Sequence, residues 1–114
     1  MKRTEYVNIG AKDVVITGNI KATVDIAIAA TVIGNVECTK KVIIDDQAVV
    51  SGDITASDLI VLSGHIDGNV SCSNSVQVYR ESSIEGNVVC RVITIEEGAM
   101  FEGECSTNTK EMSE

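Results

Sequence analysis

The sequence predicts an all-β chain, a single-domain parallel β-helix of about six rungs of ~17 residues each. Three observations predict it. First, valine and isoleucine make up 30 of the 114 residues against two leucines, with nine threonines beside them. Side chains branched at Cβ are stiff at χ1, so they lose entropy in a helix and pack well on a pleated surface. Second, the tripeptide Gly-[Asn/Asp]-[Ile/Val] recurs at Gly18, Gly34, Gly52, Gly68 and Gly86, with a relative, Gly-Glu-Cys, at Gly103. The steps between these glycines are 16, 18, 16, 18 and 17 residues. Third, aligning the chain on the glycine produces columns of like residues.

Those columns justify the elements in turn. Two residues before the glycine stand Ile16, Val32, Val50, Ile66, Ile84 and Phe101; two after it stand Ile20, Val36, Ile54, Val70, Val88 and Cys105. Four before are Val14, Ala30, Ala48, Gly64, Ser82 and Ala99, and four after are Ala22, Cys38, Ala56, Cys72 and Cys90. None of these positions is charged. The interleaved columns, such as Thr17, Ile33, Ser51, Asp67, Glu85 and Glu102, are mostly polar. Alternation of period two means one buried face and one wet face. A further short strand is expected in each repeat at Val24–Ile28, Val42–Ile44, Leu59–Leu62, Val76–Val78 and Ile93–Ile95. A unit of ~17 residues cannot bury its own apolar face, but stacked units at the ~4.8 Å strand spacing bury it against one another. The recurrent glycine then marks a corner where the backbone nears the axis and a Cβ would crowd it. The cysteine column is a small-residue column interchangeable with alanine, and its thiols are expected buried and reduced. An antiparallel meander with Gly-Asn hairpin turns is the competing fold, but it explains the glycines without explaining the columns. A hexapeptide helix would mark its repeat every six residues, which this chain does not do.

Composition excludes several classes of function. Nine glycines without proline exclude collagen. The longest apolar run, residues 26–30, is far short of the ~18 residues of a membrane span. Met1-Lys2-Arg3-Thr4-Glu5 leads into alternation and not into an apolar signal core, so a cytoplasmic protein is expected. A net charge of −8 argues against nucleic acid and anionic membrane as partners. No Gly-x-x-x-x-Gly-Lys-[Ser/Thr] cradle is present for a nucleotide. Cys38, Cys72, Cys90 and Cys105 form no C-x-x-C pair, and no metal or cofactor is expected. The lone histidine, His65, falls on an outward column with no nucleophile at motif spacing, so no enzyme is expected. Asp45-Asp46 and Glu96-Glu97 read as corner residues, because alternation separates neighbouring side chains.

With its columns written out, the chain resembles the bactofilins, bacterial cytoskeletal proteins, over residues 9–105. Its ending, Ile95-Glu96-Glu97-Gly98-Ala99-Met100-Phe101-Glu102-Gly103-Glu104-Cys105, looks like the family's closing Gly-Ala-x-Phe-x-Gly-x-Cys signature. Middle rungs such as Ala48-Val49-Val50-Ser51-Gly52-Asp53-Ile54 are also characteristic. The resemblance implies a right-handed, triangular β-helix that polymerises end to end, without nucleotide, into non-polar filaments. It also implies a scaffold that organises cell-shape or cell-wall machinery and recruits cell-wall enzymes. The expected organisation is a short tail at residues 1–8, the β-helix at 9–105 and a polar tail at 106–114. Family members often carry proline-rich flanks and an N-terminal membrane-targeting peptide; this chain has no proline. Attachment to the inner face of the membrane would therefore come through a membrane-bound adaptor.

Self-association also follows from the ends. A terminal rung presents unpaired backbone groups and an apolar cross-section, which solenoids usually cover with a cap. Residues 106–114 are too polar to shield the last rung. The expected polymerisation surface is therefore Phe101, Ile93, Ile95 and Ala99 at one end and Tyr6, Val7 and Ile9 at the other. Phe101 also matches the family's terminal phenylalanine. Asp67, Glu85, Glu102 and the nearby Glu104 form an acidic face whose repulsion a basic partner segment or a divalent cation could relieve, or which stays solvated and deters lateral clumping. A β-helical interaction module that does not polymerise is the alternative.

Overall fold

A computed structural model describes residues 6–9, 13–45 and 47–107. Among these there is no helix. Sixteen strands follow one another: β1 (Tyr6–Ile9), β2 (Val15–Thr17), β3 (Ile20–Ala22), β4 (Asp25–Ile28), β5 (Thr31–Ile33), β6 (Val36–Cys38), β7 (Lys41–Ile44), β8 (Ala48–Ser51), β9 (Ile54–Val61), β10 (Gly64–Asp67), β11 (Val70–Val78), β12 (Ser82–Glu85), β13 (Val88–Cys90), β14 (Val92–Ile95), β15 (Met100–Glu102) and β16 (Cys105–Thr107). β1 begins inside the segment expected as a tail, and β16 ends inside the polar segment after Cys105.

The strands make three faces. β2, β5, β8, β10, β12 and β15 form the first. β3, β6, the front halves of β9 and β11, β13 and β16 form the second. β1, β4, β7, the back halves of β9 and β11, and β14 form the third. β9 and β11 run unbroken from the second face to the third, so two faces join into one ten-stranded sheet. Every pairing is parallel, which excludes the meander. Five complete turns result, opened by β1 and closed by β15 and β16. The turn thus has three strands where the sequence pattern suggested two, because the glycine splits the longer segment between two faces.

The core is the set of columns. Val32, Val50, Ile66 and Ile84 line the first face, Val36, Ile54, Val70 and Val88 the second, and Ile26, Val42, Leu59 and Val76 the third, each no more than 1% exposed. Each such side chain stabilises the fold by roughly 1.5–3 kcal/mol relative to exposure. Small residues fill the corners: Ala30, Ala48 and Ser82 on one side of the first face, Cys38, Ala56, Cys72 and Cys90 beyond the second. The buried Ser82 hydroxyl donates to the Val61 carbonyl at 2.9 Å, so it leaves no unpaired polar group.

Crowding at the glycine corner runs along the stack and not toward the axis. Gly52 has φ +151°, and a Cβ built there would lie 2.0 Å from the Gly34 carbonyl oxygen of the preceding rung. The residue after the glycine has its own task. Asn19, Asn35, Asp53, Asn69 and Asn87 each accept, through Oδ1, the backbone N–H of the next member of the column, at 2.9, 2.9, 3.0, 3.1 and 3.3 Å. The column of Asn and Asp is therefore a hydrogen-bond ladder that ends at Glu104. The expected corner residues Asp45, Glu96 and Glu97 do lie between strands; Asp46 lies outside the described residues.

Candidate assembly surfaces at the two ends

Each face of a three-sided solenoid has its own last strand at each end. At the first end these are β1, β2 and β3; at the last end they are β14, β15 and β16. Among the described residues no strand pairs with their outer edges. Such an edge keeps half of its backbone N–H and C=O groups without a ladder partner.

Register carries the core columns out to these edges. Ile93 lies over Val76 and Ile95 over Val78. Phe101 lies over Ile84, and Cys105 over Val88. The lower member of each pair is buried, whereas Ile93 and Phe101 are half-buried, Ile95 is 41% exposed and Cys105 is exposed. At the other end Ile16 lies under Val32, Ile20 under Val36 and Ala22 under Cys38, all half-buried. The partly buried hydrophobics packed against the core are Ile16, Ile20, Ala22, Ile93, Ala99 and Phe101, every one of them in an end rung.

Four of the expected surface residues, Phe101, Ile93, Ile95 and Ala99, thus come together in the last rung. Of the other three, the backbone register sets Val7 against Ile26, Ile9 against Ile28 and Tyr6 against Asp25. Their side chains lie outside the described residues. Ile16, Ile20 and Ala22 were missed as end residues, although they are the first members of their columns. That position in the alignment was the available signal.

The expected acidic face is assembled by register. Asp67, Glu85 and Glu102 stand on successive strands of the first face, all exposed, with Glu104 at the corner beyond. The same column continues toward the first end as Ser51, Ile33 and Thr17, so only half of the face is acidic. His65 is the neighbouring base: its Nδ1 bonds the Ser83 hydroxyl and its Nε2 stands 3.8 Å from Glu85 Oε1.

The thiols divide in the same way. Cys38, Cys72 and Cys90 are buried and free, and Cys105 is free and exposed. Burial pushes the Cys72 thiol up to about 12, helped by the nearby Cys90 and Asp58. Burial also raises Cys90 to about 11, with Cys105 contributing. Both stay protonated and unreactive at neutral pH.

A profile of the bactofilins, described as polymer-forming cytoskeletal proteins, matches residues 8–106. The chain belongs to the bactofilin family. No curated protein and no solved structure matches it. For a bactofilin, a polymer-forming structural protein of the cytoskeleton, the surfaces that matter are those that meet other copies. Among the described residues, the two end rungs are where strand edges stay open and core-packed side chains stay half-buried.

Proposed function

We propose that this bactofilin polymerises end to end through its terminal rungs, without nucleotide, into non-polar cytoplasmic filaments. The filaments act as a scaffold for cell-shape or cell-wall machinery, and the chain is not an enzyme. The observation that carries this reading is that, among the described residues, the six half-buried, core-packed hydrophobics all lie at the two ends. Stacking a second copy on the last rung completes the burial of the half-buried Phe101, worth about half of the roughly 1.5–3 kcal/mol of a full burial, and supplies partners for the open strand edges. Clients such as cell-wall enzymes, and a membrane-bound adaptor, would bind the lateral faces. The acidic column of Asp67, Glu85, Glu102 and Glu104 favours basic segments for that role.

Negative-stain microscopy of the purified protein without nucleotide tests the reading. Filaments are expected, and Phe101→Arg is expected to leave a folded domain, by circular dichroism, that forms none. Filaments of the variant as abundant as those of the wild type would remove Phe101 from the joint. A wild-type protein that stays a lone particle at high concentration would leave the non-polymerising interaction module.

A further inference from the structure

The two ends match in apolar character and differ in charge. Each offers three half-buried hydrophobic side chains packed on the core. Yet the whole formal charge of −8 lies in residues 47–114, which hold three Lys or Arg and eleven Asp or Glu, while residues 1–46 hold six of each. The last rung carries Glu96, Glu97, Glu102 and Glu104, all exposed, with Glu85 directly beneath Glu102. Among the described residues, the cations of this region are Arg91, at the corner before β14, and Arg80 beneath, whose backbone N–H bonds the Glu96 carboxylate at 3.1 Å. The described part of the first rung carries Asp13, Asp25 and Lys21, the last 3.7 Å from Glu37. In a filament whose copies alternate in direction, every second joint sets two last rungs against each other, and their carboxylates with them. The remaining joints bring together first rungs that are near neutrality.

We propose that the two kinds of joint differ in their dependence on salt. The joint between first rungs closes at any ionic strength, and the joint between last rungs closes only when its carboxylates are screened. The working unit at low salt is therefore a dimer joined through its first rungs, with both last rungs free. This rests on the non-polar filament proposed above. Screening has the required range: the Debye length is ~30 Å at 0.01 M, wide enough for all the facing carboxylates to repel, and ~8 Å at 0.15 M, where only close neighbours do.

Cys105 reports which end is free, because it is exposed on the last rung while Cys38, Cys72 and Cys90 are buried. Sedimentation velocity combined with titration by Ellman's reagent, in 10 and 150 mM NaCl, tests the proposal. The expected result is a dimer with one reactive thiol per chain at 10 mM and filaments with that thiol protected at 150 mM. The protein concentration at which filaments first appear should fall about tenfold or more between the two. The double variant Glu102→Gln, Glu104→Gln, both exposed side chains, should form filaments already at 10 mM. Equal assembly at both salts would overturn the proposal, as would a low-salt dimer with Cys105 protected. Monomers at 10 mM that become filaments at 150 mM would indicate a single head-to-tail joint, overturning it while leaving self-polymerisation intact. No filaments at any salt would sink both.

Discussion

The middle rungs and the end rungs are built from the same columns, and they differ only in what lies above or below them. Val78 is 1% exposed and Ile95, its partner one rung on, is 41% exposed. Val88 is fully buried and Cys105, its partner, is exposed. The side chains at the ends point the same way as those in the middle. Burial in a solenoid is therefore set by two separate quantities, the parity of the residue and the presence of a neighbouring rung. The sequence controls the first directly; the second depends on where the stack stops.

The sharpest way to break this comparison is to add the same methyl group in both regions. Gly52→Ala puts a Cβ 2.0 Å from the Gly34 oxygen at φ +151°, whereas at Gly18, with φ +130°, no atom of the described residues lies within 4 Å. Urea unfolding in the Phe101→Arg background, chosen to hold assembly out of the measurement, should give a loss of about 3 kcal/mol or more for Gly52→Ala. The loss at Gly18→Ala should be about 1–2 kcal/mol, from backbone strain alone. Equal losses would mean that the neighbouring rung contributes nothing to the glycine requirement.

A smaller contrast lies in the ladder. Asn69→Ala removes the acceptor of the Asn87 N–H and should cost about 1 kcal/mol. Glu104→Ala, at the end of the ladder, should stay within about 0.5 kcal/mol, since among the described residues no following rung uses its side chain. A Glu104 effect as large as that of Asn69 would place another partner above it.

The smallest effect at neutral pH, and one that grows only in alkali, comes from the thiols. Below about pH 9 the thiols of Cys72 and Cys90 are neutral in both folded and unfolded chains. Above it the unfolded chain ionises first, because the folded thiols hold out to about 12 and 11. The folded state binds more protons there, so these two residues make stability fall as pH rises from 9 toward 12. Thermal unfolding of the wild type should lose ground over that range relative to a Cys72→Ala, Cys90→Ala variant. Parallel curves would show that burial does not shift these thiols.

Much of the fold was legible in the sequence because parity and spacing need no coordinates. The columns of Val32, Val50, Ile66 and Ile84, and of Asp67, Glu85 and Glu102, are the observed strand registers. Two things were not legible. The alternation passes through each glycine without a change of phase, so it does not reveal that the flanking residues lie on different faces. An end, in turn, is a missing neighbour, and a missing neighbour leaves no mark on residue type: Ile16 and Ile20 look like any inward isoleucine. The last end was easier to see, because Phe101 is large where its column is otherwise aliphatic. The alternation also marks the Asn and Asp column as outward-facing, which is correct for its exposure but silent about its bonds to the next rung.

The direction of the backbone hydrogen bonds has a mechanical consequence. They run along the stacking axis, so any cross-section of the molecule is spanned by three strands' worth of them acting side by side, joined by one rung of the side-chain ladder. In the end-to-end filament proposed above, tension along the axis would be shared among all of these bonds at once and would load no single strand. A junction between molecules has no covalent thread crossing it, whereas every turn within a molecule has one. An overstretched filament would then part between subunits and leave each subunit intact, ready to rejoin when the load is released.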